Sequence, residues 1–228
     1  MDAPVAVVTG ASRGIGRATA LRLAPQFAIV ALARNGDELA SLAEEIESAG
    51  RICRPCVVDI TNPAAVSDAL DGIDAQVLVN NAGVGINKPF LDLTRSEWMR
   101  MVDLNLNALY DVTRAVLPAM IARRSGHIVF VGSITGRTAY AGGACYSATK
   151  HAVMGLSESL MLELREYGVK VSVVNPGSVA THFSERRDPS WMLAPEDVAE
   201  AIVRVVDTPA DVLVHRMEVR TLTVPKRH

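Results

Sequence analysis

The 228-residue sequence predicts one doubly wound α/β domain, a mostly parallel sheet of about seven strands with helices on both faces. Three observations carry the prediction. Short aliphatic runs alternate with segments of helical periodicity along the chain. Hydrophobic residues make up 49% but aromatics only 4%, so the core must be aliphatic, as in a parallel sheet buried on both faces. Gly, Asn and Ser gather just after the strand-like runs, where open α/β sheets bind their ligands.

The elements follow in order. "VAVVT" (5–9) is a strand, with a helix over about residues 14–24. "AIVALA" (28–33) is the second strand, and in the next helix Leu39, Leu42, Ala43 and Ile46 share a face, with Gly50 as the stop. "CVVDI" is the third strand, and Asn62-Pro63 caps the helix after it. "AQVLVNN" is the fourth, and Thr94 with Glu97 forms a capping box at the start of a long helix. "HIVFVGS" is the fifth, followed by a helix through Tyr146 and Lys150 to about Glu166, with Gly168 as its stop. "VKVSVVN" is the sixth, Pro195 opens a last helix, and "RTLTV" (220–224) is the seventh strand. Neither an internal repeat nor a Pro/Gly/Ser-rich linker divides the chain, so residues 1–228 form one domain.

Composition excludes several functions. A net charge of −2 without a basic run argues against nucleic acid or an anionic membrane as partner. Apolar runs are too short to span a bilayer, and Asp2 stands where a secretory signal would be basic, so a cytoplasmic protein is expected. Cys53 and Cys56 form "CRPC", but they lead into a strand, where residues three apart face opposite ways; they are read as core or strand residues, not as a redox pair. The five His show no metal-ligand spacing, so no metal is expected.

"TGASRGIG" joins the first strand to the first helix. Gly10, Gly14 and Gly16 allow a tight turn, close backbone approach to a pyrophosphate and close helix packing, and the helix N-terminus offers free N–H groups. Ser12, Arg13 and Ile15 lie between them. The spacing is G-x-x-x-G-x-G, and its place after the first strand points to a dinucleotide. An acid at the end of the second strand would hold the ribose of NAD(H). Here that strand ends in Ala33, Arg34 and Asn35. Arg34, with Arg13 opposite, suits a 2′-phosphate, and Asp37 and Glu38 read as first-turn helix residues, so NADP(H) is expected in preference to NAD(H).

Tyr146 and Lys150 stand four apart in "ACYSATKHAV". They read either as the edge of an amphipathic helix with a snorkelling Lys, or as a proton donor beside a fixed cation. With "TGASRGIG", "NNAG", Ser133, "YSATK" and "NPGSVAT" present in order, the chain resembles the short-chain dehydrogenase/reductase family over about residues 5–224.

The resemblance implies a Rossmann fold and an NADP(H)-dependent oxidoreductase acting on a small carbonyl or alcohol. It implies Tyr146 as acid/base, Lys150 on the nicotinamide ribose lowering the Tyr146 pKa, Ser133 on the substrate oxygen and Asn105 anchoring a water toward Lys150. It implies Asp59 and Ile60 at the adenine, Asn81, Ala82 and Gly83 along the cofactor, and Pro176, Gly177, Val179 and Thr181 at the nicotinamide. A homodimer or homotetramer is also implied. The C-terminus lacks the Gly-Gly ending of acyl-carrier-protein reductases, so the chain looks more like reductases of small hydroxy acids or general carbonyls. The segment after Thr181 is short for a substrate lid; His182 and Phe183 lie in it.

The chemistry of a phenol and an ammonium supports those roles. An ordinary Tyr is ionised to about one part in a thousand at neutral pH, and moving its pKa by ~3 units takes ~4 kcal/mol. One cation at ~4–5 Å supplies ~3–4 kcal/mol at an effective dielectric of ~20, and Lys150, one helical turn away, is the cation at hand. An NADP(H)-sensing regulator without turnover is the alternative, but it has no need of all four residues.

Overall fold

A computed structural model describes residues 3–181 and 189–222. Seven strands form one sheet in the order β3-β2-β1-β4-β5-β6-β7: β1 (Val5–Thr9), β2 (Ala28–Ala33), β3 (Cys53–Val57), β4 (Ala75–Asn80), β5 (Gly126–Val131), β6 (Val169–Pro176) and β7 (Arg216–Val219). Every neighbouring pair is parallel. The chain order reverses direction at β1 and β4, so a crevice opens between the loops after those strands.

Two aliphatic cores flank the sheet. On one face α1 (Gly14–Leu23), α2 (Gly36–Ser48) and α7 (Pro195–Val206) bury Leu23, Leu42 and Ile202 against Ile29, Val79 and Val174. On the other face α3 (Pro63–Leu70), α5 (Ala108–Arg123) and α6 (Ala144–Leu164) bury Leu70, Val116 and Val153 against Val30, Leu78 and Phe130. Cys53 packs into the first core and Cys56 against the second, the opposite-face placement their spacing implies. Burial raises the Cys53 thiol to about 11, far from a reactive thiolate.

The local signals recur as helix ends. Asn62 accepts from the N–H groups of Ala64 and Ala65 with Pro63 behind it. Thr94 and Glu97 close a capping box that opens α4 (Arg95–Val102). The long helix expected after Thr94 is interrupted by a π-turn, Asp103–Asn107, before α5 continues. The extra residue of that turn buries Asn105.

The seventh strand is not "RTLTV" but Arg216–Val219, four residues earlier. Its register runs from Val173↔Arg216 to Pro176↔Val219, and the Gly177 N–H closes onto the Val219 carbonyl at 2.8 Å. The neighbouring strand β6 ends at Pro176, so the ladder closes at Val219 and strand propensity further along does not decide the register. Thr223 and Val224 lie outside the described residues. No described helix is long and apolar enough to cross a membrane. The outer side of α5 and α6 carries an apolar groove of about 280 Å³ lined by Leu117, Pro118, Leu156 and Leu160.

One buried group makes the sheet sensitive to acid. The Ser172 hydroxyl donates to the Val214 carbonyl at 2.7 Å, so at 2.8 Å His127 Nε2 must be the donor to Ser172. Burial, aided by Lys170, pushes the His127 pKa from 6.5 to about 4. The unfolded chain therefore takes up this proton first, and the stability is full above pH 6.5 and drains as pH falls toward 4. Chemical denaturation at about pH 7 and about pH 5 is expected to show a loss of roughly 2 kcal/mol from this group. A His127→Gln variant should lack that part of the slope; an unchanged slope refutes the assignment.

Candidate active site

The loops after the strands enclose a cleft of about 960 Å³, running from Arg34 and Asp59 at one end to Ser133, Tyr146 and Lys150 at the other. Its central turn follows β1. Gly10 and Gly14 sit at φ 64° and 56°, in the left-handed region that favours glycine. A Cβ on Gly10 would lie 3.0 Å from the Ala82 backbone, and one on Gly14 would lie 3.2 Å from Thr181. The backbone here is thus bare toward the cleft and roofed by Thr181.

Gly16 does not line the cleft. A Cβ there would fall 2.2 Å from the Gly10 carbonyl oxygen, so its part is to let α1 close on the loop. Ser12, Arg13 and Ile15 do line it, as do Arg34, Asp59 and Ile60 after β2 and β3. Arg34 lies 4.0 Å from Asp59, with 68% of its side chain exposed. Asp59 is held below the usual carboxylate range, first by the backbone and hydroxyl of Thr61 and then, more weakly, by Arg34. Asp37 and Glu38 occupy the first turn of α2, with Asn35 as its cap.

Asn81, Ala82 and Gly83 form the adjoining wall. Asn81 ties the walls together: its Nδ2 donates to the Thr9 carbonyl at 2.9 Å, and Thr9 Oγ1 accepts from the N–H groups of Asn81 and Ala82. Thr9, fully buried, is a positioning residue that its appearance as a strand-end Thr did not single out.

At the far end Tyr146 and Lys150 project from the first turns of α6. Lys150 Nζ lies 5.8 Å from the centre of the Tyr146 ring and donates to the Val131 carbonyl at 2.8 Å. Ser133 follows β5; its N–H is held by Asn175 at 3.1 Å, and its Oγ accepts from the N–H and hydroxyl of Thr135 at 3.1 and 2.9 Å. Ser133 and Thr135 both hydrogen-bond the Tyr146 phenol. Thr135 and Asn175 were not singled out from sequence, although Asn175 begins the "NPG" run.

The ionisation of the pair differs from the sequence expectation. Burial pushes Tyr146 up to about 12, and its hydrogen bonds with Ser133 and Thr135 offset this only in part. Burial pushes Lys150 down to about 8. The Lys150 ammonium is drawn to the Val131 carbonyl, and burial outweighs what favours ionisation of Tyr146.

Asn105 stands behind the wall rather than on it. Its amide exchanges two 2.8 Å bonds with the Val84 backbone and donates to Thr149 at 3.2 Å, next to Lys150 in sequence. Pro176, Gly177, Val179 and Thr181 line the cleft after β6. His182 and Phe183 lie outside the described residues. Among the described residues no cluster of three or more His, Cys, Asp or Glu side chains is placed to hold a metal.

The chain is similar in sequence and fold to known proteins. A family model described as short chain dehydrogenase matches residues 4–190. The NADP-dependent 3-hydroxy acid dehydrogenase YdfG of Salmonella typhi is 34% identical over 239 aligned positions, covering 96% of this chain and 95% of that protein. A metagenomic short-chain oxidoreductase solved with NADP superposes with a TM-score of 0.87 at 34% identity, over 97% of this chain and 98% of the other. An alcohol dehydrogenase of the archaeon Thermococcus sibiricus, solved with 5-hydroxy-NADP, gives a TM-score of 0.91 at 28% identity, over 99% and 100% of the two chains.

Proposed function

The chain belongs to the short-chain dehydrogenase family, and from that premise we propose that it is an NADP(H)-dependent oxidoreductase interconverting a ketone or aldehyde and an alcohol. The observation that carries the reading is a single cleft with a bare glycine turn at its middle and the buried Ser133–Tyr146–Lys150 cluster at one end. The turn suits a pyrophosphate, since any Cβ at Gly10 or Gly14 would intrude on its own walls. Arg13 and Arg34 line the end where an adenosine 2′-phosphate would lie. Bound NADPH supplies the hydride.

The protein's own residues handle the proton. With its pKa near 12, Tyr146 holds its proton at neutral pH and can donate it to a carbonyl oxygen as that oxygen gains charge. Ser133 Oγ already accepts twice from Thr135, so it meets the Tyr146 phenol as a donor, and a carbonyl oxygen seated between the two can take that one proton's hydrogen bond instead. Lys150, charged below about 8, sets a positive field beside the phenol and can hold a ribose hydroxyl. Asn105 fixes Val84, and so the wall opposite.

The test is a panel of ketones and aldehydes assayed by NADPH absorbance and repeated with NADH. Turnover with NADPH preferred is expected. Arg34→Ala should raise the KM for NADPH about tenfold, no more because the side chain is exposed and screened, while the KM for NADH stays put. A strong NADH preference in the unmodified protein overturns the cofactor reading. Tight NADPH binding in calorimetry, with no hydride transfer to any carbonyl, overturns the catalytic reading in favour of a sensor.

A further inference from the structure

The reacting end of the cleft carries a polar element that proton transfer does not use. Tyr140 and Asn87 both line it, from two loops 53 residues apart, and the Tyr140 hydroxyl donates to Asn87 Oδ1. The pair is built in rather than loosely placed. The Tyr140 ring lies flat on Gly143, where a Cβ would come within 2.4 Å of it. The two loops are joined again where the Lys88 N–H meets the Gly142 carbonyl at 2.9 Å. Lys88 is anchored in turn to Glu97 of α4 at 2.5 Å. Tyr140 is near enough to Tyr146 to oppose the ionisation of that phenol, a smaller effect than its burial.

Hydrogen-bond capacity and charge then indicate what this element meets. The Tyr140 proton occupies the Asn87 carbonyl oxygen, which turns the amide N–H groups away from Tyr140 as donors. Arg220 lines the same cleft just after β7, with its Cα 3.8 Å from where a Cβ on Gly177 would stand. Its Nε pairs with Glu218 at 2.5 Å, and among the described residues no partner meets its Nη atoms. The carboxylates that line the cleft, Glu38 and Asp59, both belong to the β2–β3 end. The reacting end therefore offers donors and the cations Lys150 and Arg220, with no acid among its described lining residues.

We propose that Asn87, seated by Tyr140, and Arg220 read a carboxylate on the substrate, so that the enzyme acts on short hydroxy acids and the matching oxo acids in preference to uncharged alcohols and ketones. This rests on the carbonyl–alcohol reading of the cleft. The amide donors and the guanidinium fork suit the two oxygens of a carboxylate. The nearness of Tyr140 to Tyr146 keeps the carboxylate within a few bonds of the reacting carbon, which is why the acid is short.

Lactate and β-hydroxybutyrate, each beside its methyl ester, test the proposal through NADP+ reduction. The acid is expected to exceed its ester at least ~10-fold in kcat/KM, the size of one charge-assisted hydrogen bond. Asn87→Leu and Arg220→Gln should each cut the acid-over-ester ratio about tenfold, Asn87→Asp further, and Tyr140→Phe in the same direction, since it frees the amide to turn. Ratios near one in the unmodified protein, or ratios untouched by all four variants, overturn the proposal.

A binding arm separates this idea from the catalytic one. With NADP+ bound, Tyr146→Phe should gain thermal protection from β-hydroxybutyrate but not from its ester, and should lose it when Asn87→Leu is added. That outcome without turnover of the acid in the unmodified protein sinks the catalytic reading and leaves carboxylate recognition standing. Equal turnover of acid and ester does the reverse.

Discussion

Tyr146→Phe is expected to lower kcat for carbonyl reduction by about a thousandfold, within the range that a positioned acid contributes, while the Kd for NADPH stays within about threefold. Phe keeps the ring beside the Lys150 ammonium, 5.8 Å from its centre, and removes only the hydroxyl that Ser133 and Thr135 hold. The loss should therefore fall on chemistry and not on folding. The ionisation of the site gives the loss a direction. Tyr146 is pushed up to about 12 and Lys150 down to about 8, so at neutral pH the free site holds a phenol and an ammonium. That state is ready to give a proton. Alcohol oxidation needs the tyrosinate, so its rate should climb as pH rises above neutral, while reduction should not. A Tyr146→Phe protein that keeps a tenth of the reduction rate, or an oxidation rate flat with pH, contradicts the assignment of the proton to this phenol.

What could be read from sequence was what is encoded locally. The caps at Asn62 and Thr94 are settled within four residues, and both occur as expected. β1, β2, β4, β5 and β6 are largely buried aliphatic runs, which both faces of a covered sheet demand, whereas the edge strand β3 is Cys53–Val57, mostly exposed and three residues earlier than the aliphatic run "CVVDI" suggested. The glycine loop declared itself because its residues are consecutive and lie after the first strand. The seventh strand misled because its position depends on where β6 ends, not on its own composition. The opposing drift of Tyr146 and Lys150 was out of reach for a similar reason: spacing brings the pair together, but burial decides their ionisation, and burial is a property of the fold. Asn87 and Tyr140 carry no signal in either stretch alone, since their meaning is the contact between two loops. Asn105 was legible as an odd residue for a helix, and the π-turn explains how the chain accommodates it.

Gly16→Ala is expected to abolish measurable NADPH binding, a loss of at least about a hundredfold, and to destabilise the fold by ~1–3 kcal/mol as overpacking does. The added methyl would lie 2.2 Å from the Gly10 carbonyl oxygen and 2.5 Å from Asn81 Nδ2. Neither obstacle can give way cheaply. Gly10 is fixed at φ 64° with Ala82 against it, and Asn81 Nδ2 is committed to the Thr9 and Gly10 carbonyls. The collision therefore moves the glycine turn itself, the surface proposed to meet the pyrophosphate, although Gly16 does not line the cleft. Gly155→Ala is the control. That residue is exposed within α6, and nothing stands within 4 Å of the Cβ position, so the same substitution should stabilise the protein by ~0.5–1 kcal/mol through helix propensity and leave NADPH binding unchanged. The two variants differ by one methyl in each case, and opposite signs in thermal unfolding are what the packing requires. NADPH binding by Gly16→Ala within threefold of the unmodified protein would mean that the first helix can retreat from the loop, and that the close approach of Gly16 to Gly10 is not what shapes the turn.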